Sequence, residues 1–454
     1  MDSLDVSQIE ALKEMLEGKN VFLSGTGGTG KSAVIRLFLE NCRKNIVCVA
    51  PTGLAALNLP DAMTIHSFFK FPIDKIMLGG DDVPADAHLT EFLRHTDCIV
   101  IDEISMVRAD IFNALEISLR VHGNATDRPF GGKQIIVVGD FLQIPPVITD
   151  EAVYTALNER FGGIYAFNTQ AWENAHFQNF YLTQVHRQHD PRWVELLEMI
   201  RLRRPGVKAM LDNNPIPVCD VPTNGITLCC RRGDAERIND EEMRKLTTPG
   251  IVSTGQITGI FPMHELPVPI SLTLRIGSRV MVVCNGKRQK MPGWLTYEYV
   301  NGEIGTIYGF DEKQEIVCLK METGRYIKVK RSRWSNIRYA LGKDENGDII
   351  ISSEEIGLYR QFPLLPAWAM SIHKAQGQTL DCRTHLFLGP GGCFASGQLY
   401  TALSRVRNFG DLSIDRPIKY ADIIIDSMVI DFLSRTFPDK FKFSDEGLEY
   451  RPCR

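Results

Sequence analysis

The sequence predicts an α/β protein built on parallel sheet, and three observations carry that prediction. Short, wholly apolar runs alternate with helix-period segments through the first part of the chain. Three of these runs end abruptly in glycine or acid: Val21-Phe22-Leu23 before a glycine loop, Cys98-Ile99-Val100-Ile101 before Asp102-Glu103, and Ile135-Ile136-Val137-Val138 before Gly139-Asp140. The alternation stops over about 270–355, where short β-type runs are separated by Gly, Asn and Asp, and then resumes. A doubly wound α/β chain interrupted by a small antiparallel barrel is the expected architecture.

At 454 residues the chain exceeds one ordinary core, and typical domain sizes suggest roughly three. A hydrophobic content of 44% beside 23% charged residues describes a soluble globular protein. No run approaches the ~18 apolar residues of a membrane helix. The opening Met1-Asp2-Ser3-Leu4-Asp5 is acidic and has no apolar signal core, so the expected address is intracellular. Eleven cysteines, without a C-x-x-C pair and partly inside apolar runs, read as reduced core residues rather than zinc ligands. A net charge of −4 offers no whole-protein attraction for nucleic acid. Short basic clusters at Arg201-Leu202-Arg203-Arg204, Lys287-Arg288-Gln289-Lys290 and 328–333 could still line a channel.

In chain order, residues 4–17 place Ile9, Leu12 and Leu16 at helical spacing. Gln8 lies on that helix, with an amide able to read an adenine edge. Next comes Gly25-Thr26-Gly27-Gly28-Thr29-Gly30-Lys31-Ser32 between a strand and a helix, the P-loop pattern in its required context. Its glycines let successive backbone N–H groups converge on phosphate, Lys31 would reach the β- and γ-phosphates of ATP, and Ser32 would hold Mg²⁺. The strand run 46–50 leads into the turn Pro51-Thr52-Gly53. Residues 60–92 interrupt the rhythm and read as an insertion on the sheet rim.

Asp102 would join Ser32 in holding Mg²⁺ through water, and Glu103 would activate the attacking water. Taken alone, the pair is an ordinary helix start; after a P-loop it is a hydrolytic pair. The run ending at Gly139-Asp140 brings Gln143 to the same edge, where its amide could bridge the γ-phosphate to another element. Alternation restarts after Tyr181 to Gln188, with a second α/β unit from Ile226 and further segments at 368–380 and 398–407.

These stretches, in this order, resemble the superfamily 1 helicases, and within them the group B enzymes that include RecD and the petite-integration-frequency (PIF-type) DNA helicases. The most telling piece is Arg128-Pro129-Phe130-Gly131-Gly132-Lys133-Gln134 leading into Gly139-Asp140-Phe141-Leu142-Gln143-Ile144-Pro145-Pro146. Ser371 to Leu380 and Leu399 to Arg407 look like the fifth and sixth motifs of that family. The resemblance implies two RecA-like P-loop NTPase domains with ATP between them. Residues 1–184 would form the first, with a wedge insertion at about 66–90; 185–269 and 356–435 would form the second. An SH3-like barrel over 270–355 and a tail over 436–454 complete the implied plan. It further implies arginine fingers at Arg187 and Arg405 on the second domain, Gln8 as adenine reader and Gly377 beside the nucleotide. Thr52, Gly53, His66, Ser371, His373, Lys374 and Thr379 would grip the DNA backbone on both domains, with Phe68, Phe69 and Trp368 as candidate stacking aromatics.

The implied activity is ATP-dependent 5′-to-3′ translocation on single-stranded DNA by a monomer, with unwinding at junctions. G-quadruplex, forked and RNA–DNA substrates enter by family only. The chain lacks the long segment that precedes Gln8 in eukaryotic members, so a cytoplasmic bacterial or phage-type enzyme is expected. The competing class is a P-loop regulatory switch that controls a protein partner. Two separated arginine-bearing elements and a β insertion weigh against it.

Overall fold

The computed structural model describes the chain except for residues 1–3, 57, 73–75, 85, 124, 149, 221–224, 287, 292–293, 300, 312, 344–348, 381, 445–446 and 451–454. Six strands form the first sheet: β1 (Val21–Gly25), β2 (Ile46–Ala50), β3 (Met63–Thr64), β4 (Cys98–Ile101), β5 (Gln134–Val138) and β6 (Gln178–Leu182). Their order is β3-β2-β4-β5-β1-β6, with every pairing parallel. Alternate side chains of β1 feed opposite faces, as strand pleating requires. Val21 and Leu23 join one core cluster with helices α1 (Val6–Leu16) and α2 (Lys31–Asn41), and Phe22 joins the other with Phe112, Phe141 and Trp172. Covering both faces explains why β1, β4 and β5 are buried along their whole length.

The apolar stripe of α1 is turned one position from the expected one. Gln8, Ala11, Leu12 and Met15 are buried, whereas Ile9 is 46% exposed and Leu16 37%. Asp5 caps this helix and Gln8 completes the capping box, which fixes the rotation.

The rim insertion also divides differently. Met63–Thr64 pairs with β2 as a sheet strand, and the helix Ile65–Phe69 turns its aromatics inward. Phe68 packs edge-on to Phe69 at 4.7 Å and to Phe92 at 5.8 Å. Phe68, Phe69 and Trp368 are all buried, so none presents a free face for a base in this conformation. Beyond them the insertion is braced on the helix Ala109–His122: the Met77 amide donates to the buried Asp110, and the two ring nitrogens of His122 meet Thr90 Oγ1 and the Pro84 carbonyl.

A second, four-stranded sheet runs Ala369–Ser371, Ile226–Cys229, Thr384–Phe387, Leu412–Ile414, again all parallel. Between its first two strands in sequence lies an antiparallel β segment with its own apolar core, including Val280, Val317, Leu319 and Leu364. It begins at Gly250 and ends at Pro366, wider than the expected 270–355. The early strand Gly250–Thr254 buries only Ser253, so it offers no apolar run to read. Among the described cysteines none is in a disulfide, and Cys48, Cys98 and Cys229 are buried as expected. No helix among the described residues is long and apolar enough to cross a membrane.

The C-terminal helix Ser427–Thr436 returns to the first sheet instead of staying with the second. Phe432 stacks on Phe167 at 4.1 Å and meets Phe22, Phe141 and Trp172, while Phe437 and Phe441 pack on Tyr181. Asp426, its N-cap, accepts a hydrogen bond from Tyr165 at 2.8 Å. Phe432→Ala is therefore expected to destabilise the first unit by about 3–5 kcal/mol, the range for emptying a buried phenylalanine site. Denaturant titration followed by tryptophan fluorescence, with Trp172 in contact, checks it; an unshifted midpoint would show that the helix is only laid on the surface.

Candidate active site

Parallel register aligns the strand ends. β1 pairs Leu23 with Val138 and β4 pairs Ile101 with Val137, so the P-loop, Asp102-Glu103 and Gly139-Asp140 emerge side by side. The P-loop itself is close-packed. A Cβ on Gly28 would lie 2.5 Å from that of Arg187, and one on Gly30 would lie 2.6 Å from Gln8 Nε2; both glycines hold positive φ. Lys31 curls back onto the loop, donating to the carbonyls of Gly25 at 2.8 Å and Thr26 at 2.9 Å. Burial pulls its ammonium down to about 8, against the opposing pull of Asp140 and Glu103. Burial, reinforced by Glu103, pushes the Asp102 carboxyl up to about 7.

The second unit closes this edge into a cleft of about 320 Å³, lined by Gly27 to Ser32, Asp102, Glu103, Gln143, Arg187, Gly377, Thr379 and Arg405. Arg405 is 2% exposed, and its guanidinium donates to the carbonyls of Thr401 and Gln378 and to Ser404 Oγ. Its remaining reach is to Gln143 Oε1 at 3.4 Å, across the cleft. A second bridge joins Gln376 Nε2 to Glu103 Oε2 at 3.1 Å. Glu103 sits at φ 50°, ψ 47°, a left-handed conformation that costs a non-glycine residue about 1 kcal/mol or more and turns its carboxylate into the cleft.

Arg187 sits where the two units meet: the His186 amide donates to Gly28 O at 2.8 Å, fastening this stretch to the P-loop, and Arg187 Nη1 donates to Ser404 O at 2.9 Å. Burial, then the neighbouring Arg405, brings its guanidinium down to about 9. Thr379, expected on the DNA backbone, lines this same cleft beside Gly377. Gln8 also has a local duty: it accepts from the Asp5 amide and donates to Thr29 O at 2.9 Å, leaving one amide hydrogen.

The other backbone-gripping candidates fall on strand ends. Thr52 Oγ1 caps the short helix Gly53–Ala56 by accepting from Ala55 N. Gly53 borders a cavity of about 330 Å³ shared with Thr64, Glu265 and Trp334. His66 and His373 are half-buried, Ser371 is buried and Lys374 is exposed. Burial holds the His373 imidazole below its ordinary value.

One part of the site escaped sequence reading. Arg201, at the end of the helix Pro191–Arg201, makes a bidentate pair with Asp140 at 2.7 and 3.2 Å, with both side chains fully buried. Glu198 takes its third nitrogen at 3.3 Å. Arg201 therefore lines no channel. Tyr400 Oη, from the second unit, accepts from the Gly27 amide at 2.8 Å, so the loop that would cradle phosphate is touched directly by the opposite unit.

The chain is similar to known proteins in sequence and in fold. A model of the PIF1-like helicase family matches residues 4–198. The "ATP-dependent DNA helicase Pif1" of Bdellovibrio bacteriovorus is 30% identical over 418 residues, 89% of this chain and 86% of that one. The chain belongs to the PIF1-like helicase family. Unliganded Pif1 from Bacteroides sp superposes with a TM-score of 0.81 at 30% identity, covering 99% of both chains, and its complex with ADP-AlF4 gives 0.82. The same family member bound to ssDNA gives 0.69. The zebrafish relative, "ATP-dependent DNA helicase PIF1" of Danio rerio, is 32% identical over 90% of this chain, which spans 61% of its length. The two parallel sheets are thus the two RecA-like domains of this family.

Proposed function

We propose that this chain is a DNA-stimulated ATPase that moves 5′-to-3′ along single-stranded DNA and unwinds the duplex ahead of it. The observation that carries this reading is the pair of bridges across the cleft, Gln143 to Arg405 and Glu103 to Gln376. They link the groups that would attend hydrolysis to the opposite RecA-like domain, so nucleotide state and domain closure are one equilibrium. Bacteroides Pif1, solved with ADP-AlF4 and with ssDNA, supports both ligands.

Bound ATP would draw the Lys31 ammonium off the Gly25 and Thr26 carbonyls to its β- and γ-phosphates. Glu103 would hold the attacking water and receive its proton, while Arg405 and Arg187 meet the charge that develops on the γ-phosphoryl group. Ser32 and Asp102 offer hard oxygen donors beside that position, which suits Mg²⁺ completed by water and phosphate oxygens. Mg²⁺ held there would neutralise part of the phosphate charge.

All of these groups come from one chain, which supports action as a monomer. The braced insertion around Leu78 to Asp82 would stand at the junction as the wedge, held stiff by Asp110 and His122. Partial duplexes with 5′ or 3′ single-stranded tails test the reading: 5′-tailed substrate should open preferentially, with forks and G-quadruplexes compared in the same assay. Preferential opening of 3′-tailed duplex would overturn the direction, and ATP turnover indifferent to single strands would overturn the coupling.

A further inference from the structure

Three adjacent parallel strands of the second sheet, Ala369–Ser371, Ile226–Cys229 and Thr384–Phe387, end at one edge. Their ends deliver His373, Arg231 and the loop that carries Phe394. Phe394 is 53% exposed. His373 stacks against its ring at 24° with centroids 6.4 Å apart, and the Arg231 guanidinium lies over the ring 5.1 Å from its centre, so the half-exposed remainder is what a base could meet. A single exposed aromatic is ordinary. This one is held in place by buried chemistry: the Phe394 amide donates to Gln398 Oε1 at 3.0 Å, and Gln398, fully buried, donates through Nε2 to the Cys230 carbonyl at 2.8 Å. Arg231 Nη1 donates to Gly392 O at 3.2 Å, fixing the loop from the other side.

We propose that Phe394 is a stacking platform for one base of the single strand, with Arg231 placed for the adjoining phosphate. The proposal rests on the single-strand reading above. A flat apolar face presented next to a cation is what sequence-independent strand binding uses, because every base has a π-face and every nucleotide a phosphate. His373, stacked against the Phe394 ring and held toward its neutral form by burial, backs the platform without repelling Arg231. The fixed loop has little ordering left to lose when a base docks.

The test is fluorescence anisotropy of the full chain with labelled oligothymidylate and with an abasic deoxyribose-phosphate strand of equal length. Stacking of ~1–3 kcal/mol per base corresponds to a weakening of about 5- to 150-fold for Phe394→Ala on oligothymidylate. Phe394→Tyr, which keeps the ring, should restore binding, and on the abasic strand wild type and Phe394→Ala should bind alike. Unchanged affinity on oligothymidylate, or an equal loss on both strands, would overturn the platform while leaving the single-strand reading intact. Wild type that binds neither strand would remove that reading and the platform with it.

Discussion

Lys31→Met is expected to stop ATP turnover, by ~10²–10³-fold or more, while single-strand affinity is retained. Removing one preorganised charge from a developing oxyanion costs at least that much, and among the described residues Lys31 donates to the loop carbonyls of Gly25 and Thr26. Burial makes the ammonium costly. Its proton is lost at about 8 in the folded chain but held to about 10.5 when unfolded, so between those values the unfolded chain binds more protons. Stability contributed at this position therefore rises with pH through that window, and Lys31→Met should lack the rise. Phosphate release measures turnover, and melting temperature against pH for both proteins checks the control. Full turnover by the variant would remove the P-loop from the mechanism.

The parts legible in the sequence share one physical cause. A central parallel strand is buried on both faces, so β1, β4 and β5 appear as uninterrupted apolar runs, and the first residue after each run is placed at the ligand-binding edge. Asp102 and Glu103 follow from that rule, Lys31 from the P-loop pattern set at the same edge and Gln143 from the turn after the third run, and the cleft gathers all four. Arg405 came from resemblance, and the fold brings it into the same cleft.

What was not legible depends on partners far away in the chain. Arg201 stands in a basic cluster that reads as a channel lining, and only the fold brings it to Asp140, 61 residues earlier. Phe432 has an unremarkable amphipathic helix around it, and nothing local says that this helix crosses back to Phe22 and Phe141. Phe68 and Phe394 show the same limit from opposite sides. The first, in an aromatic-rich rim segment, is core, and the second, in a glycine-rich loop, stands exposed beside Arg231. Gly250–Thr254 was missed because its side chains mostly face solvent.

Arg405→Ala is expected to lower kcat by ~10³–10⁵, the range for removing an arginine finger, with KM for ATP changed only a few-fold. The reason is geometric. Three of its hydrogen bonds go to the Thr401 and Gln378 carbonyls and to Ser404 Oγ, so the guanidinium is already oriented before ATP arrives. Such a group contributes little to ground-state binding and meets charge that appears only in the transition state. Burial disfavours both guanidinium charges and Arg405 adds to that at Arg187, and a γ-phosphoryl group would relieve the repulsion. Arg405→Lys should recover only part of the rate, because an ammonium keeps the charge but cannot reproduce a planar fork held by two carbonyls and a hydroxyl. Melting temperatures of both variants, measured beside steady-state kinetics, separate lost chemistry from lost folding. A rise in KM with kcat preserved would make Arg405 a ground-state binding residue, and the Gln143 bridge would then serve domain closure without serving hydrolysis.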